Sequence, residues 1–253
     1  MKYTKMHGLG NDYLFVFGEV PENAAALSVK YSDRVHGIGS DGMIYISSSG
    51  VADFSMRIFN SDGSEAMMCG NGIRCVGRFV RERGYTDKNE LTVGTPSGIR
   101  RLWLDGAFVT VDMGMARVSE EILLDIGPAC TPVNVGNPHA VIFTDDAEGV
   151  PLREIGPKIE RNAAFPDRVN VEFVEVINAS ELRMRVWERG SGETKACGTG
   201  ACAAAAAAVS KGFCHAEEPI VLHLDGGDLE ITVRSDGRCF MKGSAEFVCD
   251  GEI

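Results

Sequence analysis

Glu65-Ala-Met-Met-Cys69-Gly-Asn-Gly72 and Glu193-Thr-Lys-Ala-Cys197-Gly-Thr-Gly200 are two versions of one element within a single chain. Each puts a cysteine ahead of a Gly-X-Gly step, and each runs on into a helix-like stretch. Outward from these elements, sliding the chain against itself by about half its length gives further matches in the same order. Gly10-Asn11-Asp-Tyr-Leu-Phe-Val-Phe17 aligns with Gly136-Asn137-Pro-His-Ala-Val-Ile-Phe143, and Asp33-Arg34-Val35 with Asp167-Arg168-Val169. Met56-Arg57-Ile58-Phe59 aligns with Met184-Arg185-Val186-Trp187, and Gly98–Leu104 falls near Gly227–Val233. The shared order and nearly constant offset make the chain two duplicated α/β (α+β) halves, residues 1–115 and 116–244, with the boundary near 114–120.

Each half reads as several short strands and one central helix. Leu14–Phe17, Met43–Ser47, Phe54–Phe59, Glu90–Val93 and Ile99–Leu104 are apolar or alternating runs bounded by Gly, Ser, Asn or Asp. Ala140–Phe143, Val169–Val176, Leu182–Trp187, Ile220–Leu224 and Leu229–Val233 behave likewise. The helix after Cys69 is expected over Arg74–Arg83 with a glycine stop at Gly84, and its partner over Ala201–Lys211 with a stop at Gly212. Ala203–Ala208 is uninterrupted alanine. A water-exposed helix would carry more charge, so this one is expected to be buried, its small side chains letting strands approach from all sides.

A chain of 253 residues, 44% hydrophobic, has enough apolar material for a substantial core. Its net charge of −11 argues against nucleic acid as a partner. No apolar run approaches the length of a membrane span, and Met1–His7 lacks the apolar core of a signal peptide. These features point to a cytoplasmic enzyme with reduced thiols at Cys69, Cys75, Cys130, Cys197, Cys202, Cys214, Cys239 and Cys249. The spacings Cys69/Cys75 and Cys197/Cys202 are wider than structural zinc prefers, so no metal is expected. Gly37-Ile-Gly39-Ser-Asp-Gly42 matches the dinucleotide fingerprint by letter, but a strand-like run follows it where that fingerprint needs a helix.

A helix N-terminus offers unpaired N–H groups and a positive dipole end, and glycines let a ligand approach that backbone. Each cysteine element is therefore suited to lowering its thiol's pKa and to binding an anion such as a carboxylate. Two such elements related by a pseudo-twofold can hold one α-carboxylate, with the α-carbon between two sulfurs. One sulfur, as thiolate, removes the α-proton; the other, as thiol, delivers a proton to the opposite face. The helix N–H groups stabilise the enolate-like charge, and the scheme needs no cofactor. Sulfurs flanking one carbon are also near enough that a small domain movement could join them, so reversible oxidative inactivation, restored by thiol reductant, is expected.

The chain resembles the diaminopimelate epimerases, within the cofactor-independent two-thiol racemase superfamily that includes proline racemase. The resemblance rests on Met6-His-Gly-Leu-Gly-Asn11-Asp, Asn60-Ser-Asp-Gly-Ser-Glu65 leading into Cys69-Gly-Asn-Gly-Ile-Arg-Cys75, Gly136-Asn-Pro-His139, Arg168-Val-Asn170, and Glu188-Arg-Gly-Ser-Gly-Glu-Thr-Lys-Ala-Cys197-Gly-Thr-Gly-Ala-Cys202. These motifs cover nearly the whole chain in family order. The resemblance implies two similar domains, each a curled, mostly antiparallel sheet around a central helix, with the active site in the inter-domain cleft and a C-terminal strand, about 245–253, returning to the first domain. It implies interconversion of LL- and meso-2,6-diaminopimelate, in lysine and cell-wall precursor biosynthesis. It makes Cys69 and Cys197 the acid/base pair, with His139 and Glu188 beside the thiols setting their protonation. The backbone of Gly70, Asn71, Gly198 and Thr199 would hold the reacting carboxylate. Asn11, Asn60, Asn137, Asn170 and Arg189 would grip a diamino-dicarboxylate substrate, Arg189 on its distal carboxylate, where guanidinium pairs bidentately. One departure is Gly42, where some members carry a substrate-contacting Gln.

Bland readings stand beside these. Asn60 and Asn170 also suit turns, His139 a structural hydrogen-bonder, Glu188-Arg189 a surface ion pair, and Asp62 and Glu65 a loop or helix cap. The same thiols would serve a racemase of another amino acid such as histidine, with a different distal grip. A metal- or redox-responsive binding protein is the reading from another class. The sequence leaves the oligomeric state open, a homodimer included.

Overall fold

The first unit, Met1–Val111 with Gly243–Ile253, takes its order from which strands lie parallel. The computed structural model describes residues 1–253. The unit holds β1 (Lys2–Gly8), β2 (Asn11–Phe17), α1 (Ala24–Ser32), β3 (Gly42–Ser48), β4 (Phe54–Asn60), the short β5 (Glu65–Ala66), α2 (Gly70–Glu82), β6 (Glu90–Thr95), β7 (Gly98–Asp105) and the first residues of β8 (Phe108–Met115). β1 pairs antiparallel with β2, β3 with β4, β6 with β7 and β7 with β8. β2 runs parallel to β3, and β4 to β6. Parallel neighbours need a crossover. α1 supplies the first and α2 the second.

The second unit, Asp112–Lys242, repeats that plan. It holds β9 (Arg117–Val118), β10 (Ile122–Leu123), β11 (Ala129–Asn134), β12 (Pro138–Phe143), α3 (Leu152–Glu160), β13 (Asn170–Asn178), β14 (Glu181–Glu188), β15 (Gly192–Thr194), α4 (Gly198–Ser210), β16 (Pro219–Leu224), β17 (Gly227–Val233) and β18 (Arg238–Ser244). β11–β12, β13–β14, β16–β17 and β17–β18 are antiparallel. β12–β13 and β14–β16 are parallel and bridged by α3 and α4. The succession of antiparallel and parallel pairs is the same in both units, so the duplication extends to topology. The last strand, β19 (Glu246–Glu252), lies antiparallel against β1.

The fold class is mixed α/β, sheet-rich, with two repeated domains. Within the second unit α4 packs against β9, β11, β12, β13, β14, β16 and β17. Strands from most of the sheet reach one helix, so the sheet is curled around it. The alanine run makes this feasible: Ala201 and Ala203–Ala208 are all buried, and none carries a branch that would hold a strand away. α2 holds the same place against β1, β2 and β7. Its inner face is Ile73, Cys75, Val76, Phe79 and Val80. No helix is long and apolar enough to cross a membrane.

Two differences from the expected elements have plain causes. α2 and α4 begin at Gly70 and Gly198, so the Gly-X-Gly steps are not lead-in loops but the first helical turn. The helices stop at the expected glycines, Gly84 (φ +73°) and Gly212 (φ +76°), in the left-handed conformation that glycine adopts most easily. The crossover helices α1 and α3 are absent from a one-helix-per-half reading. In α3 the interior Gly156-Pro157 reads as a breaker, yet burial of Leu152, Gly156, Ile159 and Glu160 carries the helix through it.

Candidate active site

Cys69 and Cys197 are the N-cap residues of α2 and α4, both in extended backbone. Ser, Thr, Asp and Asn usually take this place. Here a sulfur accepts the N–H of the third helical residue, from Gly72 to Cys69 Sγ at 3.3 Å and from Gly200 to Cys197 Sγ at 3.4 Å. Asp62 and Glu65, read by sequence as loop or helix-capping residues, do not cap α2. Asp62 instead accepts from the Ser64 backbone, and Glu65 pairs with Arg57. Both glycines at the third helical position are closely packed. A Cβ on Gly72 would meet Ile44 Cδ1 at 2.6 Å, and one on Gly200 would meet Glu172 Oε1 at 2.7 Å.

In the first unit Cys69 is half-buried and its thiol donates to Asn11 Oδ1 at 3.3 Å. Asn11 opens β2, and its amide nitrogen donates to Asp41 Oδ2 at 2.7 Å. Asp41 also accepts from the Asp12 backbone and from Arg34. Arg34 and Lys5 both pair with Asp12. Burial pushes the Asp12 carboxyl up, but these two cations outweigh it and hold the group below the ordinary carboxylate value. Tyr13 lies beside Asn11 and Cys69; burial, then the Cys69 charge, pushes its hydroxyl well up. The fully buried Arg74 donates to Gly70 O and to Asn71 Oδ1, and so braces the first turn of α2. Asn60, at the end of β4, donates to Ser64 Oγ.

Gly42 lies on β3 so close to β4 that a Cβ there would meet Phe59 O at 2.3 Å. No side chain, Gln included, fits on that backbone. The nearby fingerprint-like segment forms the loop between α1 and β3, and it supplies Asp41 to Asn11.

In the second unit Cys197 is buried, with 6% of its surface exposed. Thr199 Oγ1 stands 3.5 Å from its sulfur and accepts from Asn137 Nδ2 at 3.2 Å. Asn137 Oδ1 faces His139 Nε2 at 3.0 Å, and His139 Nδ1 faces Glu172 Oε1 at 2.7 Å. Both ring nitrogens are thus occupied, and His139 reaches Cys197 through Asn137 and Thr199 rather than directly. Glu188 lies within hydrogen-bonding reach of Cys197 and accepts from Thr194. Burial, and then the Glu172 charge, raises the Glu188 carboxyl. Burial also pushes the Cys197 thiol well up, with Glu188 and Glu172 adding to it. That overturns the expectation of a lowered pKa there: burial and two carboxylates outweigh the helix end.

Asn170 spends its amide on backbone, donating to Pro138 O and accepting from Arg189 N, both at 2.9 Å. It ties β12 to the turn after Glu188. Arg189 is exposed, with Nη1 on Asp167 O. Gly198 is buried and Thr199 half-buried in the opening turn of α4.

Asp41, Glu172, Tyr13 and Arg74 join the site without having been singled out by sequence. Glu172 did leave a signal, as one of two carboxylates, with Glu175, inside the mostly apolar run Val169–Val176. Asp41 was masked by its place in a decoy motif. Each unit offers a thiol at a helix N-terminus, with hydrogen-bonding side chains arranged around the sulfur.

A family model described as diaminopimelate epimerase matches residues 3–119 and 131–248. The chain is 48% identical to a diaminopimelate epimerase of Parabacteroides distasonis, covering all of this chain and 98% of the relative. It is 49% identical to one of Bacteroides thetaiotaomicron, with the same coverage. Among solved structures, a PhzF-family phenazine biosynthesis protein of Bacillus anthracis superposes with a TM-score of 0.79 at 16% identity, over 100% of this chain and 98% of that one. A hydroxyproline epimerase of Agrobacterium vitis gives a TM-score of 0.73 at 15% identity, over 99% and 91%. These two likenesses concern the fold.

Proposed function

The chain belongs to the diaminopimelate epimerase family, and on that premise we propose that it interconverts LL- and meso-2,6-diaminopimelate by proton transfer at one α-carbon, without pyridoxal phosphate. The observation that carries the chemistry is the pair of thiol caps. Inverting a carbon by proton transfer takes two carriers acting on opposite faces, one unprotonated and one protonated at the start of each turnover. Cys69 and Cys197 are built alike for that work, each anchored by the third N–H of its helix.

The N–H groups at the start of α2 and α4 are the donors for the α-carboxylate. Charge that develops on it as the proton leaves is worth about 3 kcal/mol per well-aimed donor. Glu188 is placed to exchange a proton with Cys197. Burial is the first cause that raises both the Glu188 carboxyl and the Cys197 thiol. Arg189, exposed and two-pronged, suits the distal carboxylate; Asn11, Asn60 and Asn137 suit the polar groups of the same substrate. An isomerase of this kind serves lysine biosynthesis, and it fits the cytoplasm, where thiols stay reduced. The relatives do not favour a racemase of a different amino acid.

The test is isotope exchange. Reduced protein and LL-diaminopimelate in deuterium oxide should lose the α-hydrogen signal in proton NMR as the meso form accumulates. Cys69→Ser and Cys197→Ser should each lower turnover by about a thousandfold or more. An active preparation that exchanges no α-hydrogen ends this reading.

A further inference from the structure

Glu172 and His139 come from the neighbouring parallel strands β13 and β12, and both side chains are 0% exposed. A carboxylate is not placed at such depth without partners. Its Oε1 takes His139 Nδ1 at 2.7 Å, while Oε2 is buried with no hydrogen-bond partner. Its position is tied to the helix cap as well, because Gly200, the third residue of α4, leaves only 2.7 Å between a would-be Cβ and Oε1. The mechanism above makes no use of this group.

From Glu172 a single line of hydrogen bonds runs to the sulfur: His139 Nε2 to Asn137 Oδ1 at 3.0 Å, Asn137 Nδ2 to Thr199 Oγ1 at 3.2 Å, Thr199 Oγ1 to Cys197 Sγ at 3.5 Å. The direction of each link follows from the carboxylate together with the orientation of the Asn137 amide. A carboxylate and an amide oxygen only accept, so with Asn137 Oδ1 turned to the ring both ring nitrogens act as donors. Asn137 then turns its NH2 to Thr199 and fills one lone pair of Oγ1. That leaves the Thr199 hydroxyl hydrogen to point at Cys197. Without the carboxylate's charge the ring keeps one hydrogen and no longer donates from both nitrogens, so the orientation of Asn137 and Thr199 is no longer fixed.

We infer that Glu172 is a positioning residue which, through His139, Asn137 and Thr199, holds the Thr199 hydroxyl on the Cys197 sulfur. The inference rests on the proposed role of Cys197 in proton transfer. Its test needs no substrate in the first arm. The protein has five histidines, so nitrogen NMR of histidine-labelled protein resolves the ring of His139, assigned by its loss in His139→Gln. Two hydrogen-bearing ring nitrogens are expected in the wild type and in Glu172→Asp, and one in Glu172→Gln. Alkylation by iodoacetamide, followed at each cysteine by mass spectrometry, should change at Cys197 by about fivefold or more in Glu172→Gln and stay unchanged at Cys69.

In the second arm Glu172→Gln should lower kcat for diaminopimelate about tenfold with KM within about twofold, and Glu172→Asp should recover part of it. A wild-type ring bearing one hydrogen overturns the inference, and does so even if Glu172→Gln fails to fold. So does a folded Glu172→Gln whose ring signals and Cys197 alkylation match the wild type. Failure of the wild type to exchange the α-hydrogen of diaminopimelate would instead sink the functional reading, while the ring and alkylation results still decide the hydrogen-bond direction.

Discussion

Asp41 Oδ2 accepts the amide hydrogen of Asn11 Nδ2 at 2.7 Å. This decides which end of the Asn11 amide faces Cys69. With its nitrogen on Asp41, Asn11 presents Oδ1 to the thiol, at 3.3 Å from Sγ. Asp41→Asn offers the same shape, but its own NH2 competes for the Asn11 oxygen and removes the negative partner of Arg34. Losing one oriented hydrogen bond at a reacting group costs about 1–1.5 kcal/mol, or roughly tenfold in rate. The variant should show about a tenfold fall in α-hydrogen exchange with little change in thermal midpoint, since Asp41 is partly exposed. Exchange at the wild-type rate would remove Asp41 from the account.

Gly156 sits inside α3 with Trp187 against it; a Cβ there would meet two ring atoms at 2.7–2.8 Å and the Trp187 Cβ at 2.9 Å. Alanine in a helix interior ordinarily stabilises by up to about 1 kcal/mol over glycine. Here the sign inverts. The ring is rigid, and its Nε1 is pinned to Glu160 Oε2 at 2.8 Å, so it has no easy retreat. Gly156→Ala should destabilise by about 1–3 kcal/mol, read as a lower urea midpoint. Trp187 adjoins Glu188, so the same variant should lose activity beyond what unfolding accounts for.

The cysteine elements, the duplicated order and the helix stops are legible in sequence because each is a local pattern with a local cause: a thiol before Gly-X-Gly, a repeated offset, a glycine where the chain turns left-handed. Gly42 is legible only as a departure; its cause is the closeness of Phe59 O, a distance between strands that no spacing along the chain reports. His139 shows the same limit. Its motif is plain, but that its ring faces Glu172 and Asn137 rather than a sulfur follows from strand pairing, which puts a residue 33 positions away beside it. Arg74 reads as an ordinary helix-face arginine; burial by Ser244 and the first turn makes it a brace.

Burial holds the Cys75 thiol up to about 12 and the Cys130 thiol up to about 11. An unfolded cysteine ionises near 8.5. Above that pH the unfolded chain releases protons that the folded chain keeps, so the stability tied to these thiols is fully present below about pH 8.5. It is lost as pH rises toward the folded values. Cys75→Ala removes the larger of the two contributions. Urea midpoints of wild type and Cys75→Ala should therefore draw together between about pH 8 and pH 10.5. A gap that stays constant or widens contradicts the assignment.

Glu188 acts on Cys197 in two opposed ways, and a single variant separates them. Its charge is the second cause, after burial, that pushes the Cys197 thiol up. In the proposed chemistry it also exchanges a proton with that sulfur. Glu188→Gln keeps the shape and deletes the charge, so the thiol ionises more readily. Alkylation of Cys197 at about pH 8 should then quicken, because the thiolate is the nucleophile. Epimerisation should fall by about a hundredfold or more, because the proton relay is gone. Thr194, which donates to Glu188 at 2.5 Å, can donate equally to an amide oxygen, so the fold should persist. Faster alkylation with full activity would leave Glu188 an electrostatic neighbour and nothing more, and slower alkylation would mean that its charge does not govern the thiol.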